Sequence, residues 1–170
     1  GGDSANMFRG SSEIRAFVDT HLDLRKNRGE ETFTVEPSKT RYDGPVQSFS
    51  VEIMDVGEGT EIRAYLKKPP MVERPPVVIQ HGGIDSFKEE RHRYAGPLLD
   101  NGIASLAIDM PGTGASPVKG ALDGERVYAA VLSSLDQRPD LDGSRIGLMG
   151  GSFGGYWAAK AAHVFHDRLA

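Results

Sequence analysis

The residues with the clearest chemical potential are Gly150-Gly151-Ser152-Phe153-Gly154, a serine with glycine two positions away on each side. The run before it, Arg145-Ile146-Gly147-Leu148-Met149, is apolar and strand-like, and Tyr156-Trp157-Ala158-Ala159-Lys160-Ala161-Ala162 after it suits a helix. A serine at such a junction sits in a strained backbone conformation with its hydroxyl exposed, and small neighbours at −2 and +2 let the two arms pass closely. The pattern predicts a nucleophile elbow with Ser152 as the attacking group. A chance match is conceivable in a chain with 21 glycines, but chance matches fall mostly in loops, and this one falls between strand and helix. A dinucleotide-binding G-x-G beginning at Gly150 would require glycine at position 152, and no phosphate-loop pattern ending in Gly-Lys-Ser/Thr occurs.

Acyl transfer needs a base for the nucleophile's proton, a group orienting that base, and donors for the developing oxyanion. The backbone N–H of Phe153, at the head of the helix, supplies one donor. The second is expected from the loop His81-Gly82-Gly83-Ile84-Asp85, where glycines permit close backbone approach; Gly83 is assigned, with Ile84 the near alternative. His81 reads as a hydrogen-bonding strut of that loop rather than as a base. Asp85 is either a carboxylate at a helix N-terminus or a substrate contact. Asp109-Met110-Pro111-Gly112-Thr113-Gly114-Ala115-Ser116 reads as a turn in which Asp109 bonds local N–H groups.

Several elements must position these groups. Ile14, Phe17, Val18, His21, Leu22 and Leu24 form a stripe that predicts an amphipathic helix from Ser12 to about Arg28, and the polar segment 30–45 reads as a connector. Phe49–Ile53 and Ile62–Leu66 alternate around Gly57-Glu58-Gly59 as a hairpin. From there the expected order is strand (Val77–Ile79), helix, strand (Ser105–Ile108), helix (Glu125–Gln137, capped by Asp123) and strand before Ser152. The first of these helices should open on a capping box, Ser86-Phe87-Lys88-Glu89, and stop at Asn101-Gly102. Such alternation predicts a parallel sheet with right-handed crossovers.

His81-Gly82-Gly83-Ile84-Asp85-Ser86-Phe87-Lys88-Glu89-Glu90, Asp109-Met110-Pro111-Gly112-Thr113-Gly114 and Gly150-Gly151-Ser152-Phe153-Gly154-Gly155 together resemble the α/β-hydrolases. Within them the chain looks like the branch holding 2,6-dihydroxypseudooxynicotine hydrolase, the fungal yellowish-green pigment hydrolase and the fermentation-respiration switch protein. The resemblance covers about residues 46 to 170. It implies an α/β doubly wound, mostly parallel sheet, represented here by its N-terminal portion, with residues 1–45 as a helical cap segment and connector and 46–170 as the front of the core. It implies Ser152 as nucleophile, Asp85 beside the substrate, and action on esters or on C–C bonds next to a ketone without metal or organic cofactor.

In this fold the triad acid and base follow the serine, and the chain runs only 18 residues past it. His163 lies 11 residues along the elbow helix, roughly 16 Å away at ~1.5 Å per residue, beyond hydrogen-bond reach. The chain is therefore expected to be the front of a larger hydrolase, its acid and base on absent sequence or on a second chain. The expected partners are a small-molecule acyl or ketone substrate and, through the N-terminal stripe, a second copy as homodimer. A composition of 38% hydrophobic and 26% charged residues suits one globular core. A net charge of −4 with scattered Lys and Arg offers nucleic acid no footprint, no cysteine is present for a disulfide or thiolate site, and no apolar run suits a membrane span. A cytoplasmic location is the expectation, although the N-terminus begins Gly1-Gly2-Asp3. A prolyl-oligopeptidase-type peptidase shares the elbow, and a non-catalytic binding domain of the same fold is the reading from a different class.

Overall fold

A computed structural model describes the backbone of residues 20–26, 33–40 and 49–55 and the full residues from 61 to 170. Among the described residues seven strands form one sheet: β1 (Thr20–Lys26), β2 (Phe33–Thr40), β3 (Phe49–Asp55), β4 (Glu61–Lys67), β5 (Pro76–His81), β6 (Ala104–Ala107) and β7 (Asp142–Gly150). Their spatial order is β1-β2-β3-β4-β6-β5-β7. The first five in that order pair antiparallel, whereas β6, β5 and β7 run parallel, joined by crossovers that carry α1 (His92–Asp100) and α2 (Arg126–Asp136). α3 (Gly154–Val164) follows β7.

The core is legible in the strand chemistry. In β4, Ile62, Ala64 and Leu66 are buried while Glu61 and Arg63 face outward, the period-2 pattern of a strand with one covered face. β6 is buried at all four positions, as a strand flanked on both edges and covered on both faces must be. α2 turns Val127, Tyr128, Val131, Leu132 and Leu135 onto the sheet, a helical stripe closed by Trp157 and Ala161 of α3. α1 ends as its sequence requires: Gly102 takes φ +74°, and the Gly102 and Ile103 N–H groups bond the Leu99 and Leu98 carbonyls at 2.9 Å.

Four expectations need correction. Residues 20–26, read as the second half of an amphipathic helix, are strand β1, paired antiparallel with β2 from Thr20↔Thr40 to Lys26↔Phe33. The first half of that helix, 12–19, lies outside the described residues, as does the Gly57-Glu58-Gly59 turn. Segment 30–45 is not only connector, since Phe33–Thr40 is strand β2. The Ser86 capping box does not form: Lys88–Arg91 is a 3-10 turn leading into α1, and the Ser86 hydroxyl donates to Glu90 Oε2 at 3.1 Å instead. Asp123 caps nothing through its side chain; α2 starts from Glu125, and the Asp123 carboxylate pairs with Arg126 at 3.3 Å in solvent.

Candidate active site

The parallel pairing fixes where chemistry can occur. His81 lies in register with Gly150 and Gln80 with Ala107, so the loops after β5, β6 and β7 emerge side by side at the carboxyl edge of the sheet, the usual ligand crevice of such sheets. There Ser152 adopts φ +53°, the only non-glycine residue with positive φ among the described residues. For a side-chain-bearing residue this conformation costs of order 1–3 kcal/mol and persists only where the surroundings enforce it. The enforcement is visible. A Cβ on Gly150 would collide with the Gly154 carbonyl and lie 2.8 Å from the His81 ring, and one on Gly154 would collide with the Gly82 carbonyl. Three backbone hydrogen bonds, Gly154 to Gly151 (2.8 Å), Gly155 to Ser152 (2.9 Å) and Tyr156 to Phe153 (3.1 Å), then start α3 directly from the turn.

Ser152 is exposed, and Gly83 is buried against it: a Cβ on Gly83 would sit 2.8 Å from Ser152 Cβ and 3.1 Å from Oγ. Among the described residues no acceptor meets the N–H of Gly83, Ile84 or Phe153, so donors stand free on both sides of the serine. Such donors are what a developing oxyanion requires. Ile84 and Asp85 are exposed beyond Gly83. Asp85 has no hydrogen bond or ion pair among the described residues and precedes the 3-10 turn rather than the first turn of α1, so the helix-terminus reading of this carboxylate does not hold. Phe153 is half-exposed and stacks on Tyr156, ring centroids 5.4 Å apart, which places apolar surface beside the serine.

No histidine among the described residues bonds Ser152. His92 and His166 bond the local carbonyls of Glu89 and His163, and His163 itself is exposed on α3. His81 is a strut: it is 1% exposed, Nδ1 meets the Gly82 carbonyl at 3.2 Å, and Nε2 meets the Tyr128 hydroxyl at 2.8 Å. A carbonyl only accepts, so Nδ1 carries the proton and Tyr128 donates to Nε2. Burial lowers the His81 pKa and raises that of Tyr128, which keeps the pair neutral.

Asp109 does bond a local N–H, that of Ala115 at 2.9 Å, but its main partner is elsewhere. Lys88 donates to it twice, through its backbone N–H and its ammonium, each at 2.8 Å, and both side chains are buried. Lys88 also pairs with Glu89 at 2.9 Å, which in turn accepts from the Tyr65 hydroxyl at 2.9 Å. Burial alone would lower the Lys88 pKa; the bonds to Asp109 and Glu89 outweigh it and raise the value. The network ties the loop after β5 to the loop after β6. Lys88 and Tyr128 were missed from sequence because their partners lie 21 and 47 residues away. No group of three or more metal-type ligands occurs among the described residues, and no helix of theirs is long and apolar enough to cross a membrane.

Comparison with known proteins places this geometry. The chain is 30% identical over 118 residues to Esterase FrsA of Yersinia enterocolitica, covering 68% of this chain and 28% of that protein. It is 33% identical over 117 residues to the 2,6-dihydropseudooxynicotine hydrolase of Paenarthrobacter nicotinovorans, covering 68% of this chain and 32% of the relative. The crystal structure of a 2,6-dihydroxy-pseudo-oxynicotine hydrolase superposes with a TM-score of 0.64 at 30% identity, over 76% of this chain and 36% of that one. The chain thus spans about a third or less of the length of these relatives. The Esterase FrsA-like family model matches residues 43–170, and the chain belongs to that family of α/β-hydrolases.

Proposed function

We propose that this chain carries the nucleophile and the oxyanion hole of a serine hydrolase that cleaves an ester, or a C–C bond beside a ketone, through an acyl-enzyme. In this reading Ser152 Oγ attacks the substrate carbonyl while a histidine outside this chain's sequence takes its proton. The negative charge on the carbonyl oxygen is held by the N–H groups of Gly83, or Ile84 as neighbour, and Phe153. Collapse of the tetrahedral adduct expels the alcohol, or the carbanion of the C–C substrate, which receives the proton from the imidazolium. Water then releases the acyl group by the same steps in reverse. Asp85 and the apolar surface of Ile84, Phe153 and Tyr156 face the substrate.

The observation that carries this reading is Ser152 at φ +53° with Gly83 packed on its side chain. The esterase and hydrolase names of the relatives favour it over a peptidase. The test is turnover of p-nitrophenyl acetate by the full-length protein and its Ser152→Ala variant, with product binding measured alongside. A loss of roughly 10³-fold or more in kcat with binding retained is expected. Unchanged turnover would remove Ser152 from the reaction, and unchanged biological activity without turnover would make the domain a binding module.

A further inference from the structure

We infer that Arg91 is a positioning residue whose guanidinium, bonded to Ser86 in the loop after β5 and lying beside Gly151 in the turn after β7, fixes the spacing of the two oxyanion donors. The inference rests on the serine-hydrolase reading and adds a residue to its machinery. Arg91 ends the 3-10 turn and is only 8% exposed. Its Nη2 donates to Ser86 Oγ at 2.6 Å, and its Nη1 lies 3.6 Å from the point a Cβ on Gly151 would occupy. The guanidinium stacks 4.6 Å from the Tyr94 ring centroid, and Nε is buried with no acceptor.

Among the described residues no carboxylate pairs with Arg91. A buried cation without a counter-ion is costly, and an apolar side chain of similar length would fill the space more cheaply. What the guanidinium does here is reach two loops at once. Ser86, which it holds, is packed under the oxyanion loop: a Cβ on Gly82 would lie 2.6 Å from Ser86 Cβ. Gly83 follows and presses on Ser152, while Gly151, beneath which the other end of the guanidinium sits, precedes Ser152. The two loops therefore meet at Gly83 and Ser152, and Arg91, bonded to Ser86 on one side, occupies the space beside Gly151 on the other. The Ser86 hydroxyl in turn donates a hydrogen bond to Glu90 Oε2, which supplies negative charge at one remove. The charge of Arg91 also adds to burial in keeping His81, which contacts both Gly150 and Gly154, below its ordinary pKa. A lysine presents one nitrogen and cannot brace both loops from this position.

The experiment is steady-state hydrolysis of p-nitrophenyl acetate by the full-length protein with Arg91→Lys, Arg91→Met, Ser86→Ala and the double variant Arg91→Met/Ser86→Ala, each checked for folding by thermal melting. Both Arg91 variants should lower kcat about 10–100-fold with KM within about threefold, as expected when donors are misplaced and substrate binding is not. Ser86→Ala should move kcat in the same direction by less, and the double variant should be no worse than Arg91→Met alone. Additive losses, or folded Arg91 variants with kcat within twofold of the parent, would overturn the inference. If Arg91→Met does not fold, Arg91→Lys and Ser86→Ala decide it by the same criteria. Ser152→Ala, assayed in parallel, separates the two levels. Retained activity there sinks the serine reading and the clamp with it; an inactive Ser152→Ala beside fully active Arg91 variants sinks the clamp alone.

Discussion

A single methyl group at Gly83 would sit 2.8 Å from Ser152 Cβ, closer than real side chains approach, and a tight 3.2 Å from the Gly151 carbonyl oxygen. Gly83→Ala must therefore push the loop and the serine apart. It should cost about 10²–10³-fold in kcat, the scale of losing one oxyanion donor, measurable by steady-state kinetics on the folded variant. His81 sets a different dependence. Its pKa is lowered from 6.5, chiefly by burial, so the folded state binds the proton less readily than the unfolded chain. The sign follows: its contribution to stability is complete above about 6.5 and is lost as pH falls from there through the lower folded value. Melting temperature of the full-length protein should drop below that pH, and His81→Gln should flatten the drop; an equal slope in the variant would assign it to other groups. The tight turn at Ser152 and the approach of the Gly82-Gly83 loop to it were readable from sequence because both are local patterns of small residues. Tyr128 was not, because nothing local to α2 indicates that its hydroxyl ends beneath a loop 47 residues earlier.

Between elements, the buried Lys88–Asp109 pair is the main electrostatic tie. Asp109→Ala leaves the Lys88 ammonium, 6% exposed, with Glu89 at 2.9 Å as its remaining carboxylate and takes the acceptor from the Lys88 and Ala115 N–H groups, and should destabilise the protein by about 3 kcal/mol. Lys88→Met should cost less, because Asp109 keeps the N–H groups of Lys88 and Ala115 as donors. Urea unfolding of the two variants tests that order, and the reverse order would show that the pair is not what holds the loops. The same long-range pairing explains what was misread. Thr20–Lys26 contains both a helical stripe with the residues before it and a two-residue alternation at Leu22 and Leu24, and only its antiparallel partner Phe33–Thr40 selects the strand. Likewise Ser86 and Glu89 match a capping box by spacing, but Arg91, Lys88 and Tyr65 take up their side chains first. Strand–helix alternation from Val77 onward was legible because each element there has its own period and its own glycine or proline stop.

Across the whole molecule, the strand order β4-β6-β5-β7 puts three loops at one sheet edge, and that order, rather than any single motif, is what brings the loops bearing Ser152, Gly83 and Asp109 to the same side of the sheet. The family match covers residues 43–170, and the chain spans about a third or less of the length of its relatives. The central claim is that Ser152 is an activated nucleophile. The most direct measurement is intact mass of the full-length protein after incubation with a fluorophosphonate, followed by peptide mapping of the adduct. One adduct per chain on Ser152, absent from Ser152→Ala and abolished by prior denaturation, is the predicted result. A protein that hydrolyses p-nitrophenyl acetate yet carries its adduct on another residue, or none, would contradict the account.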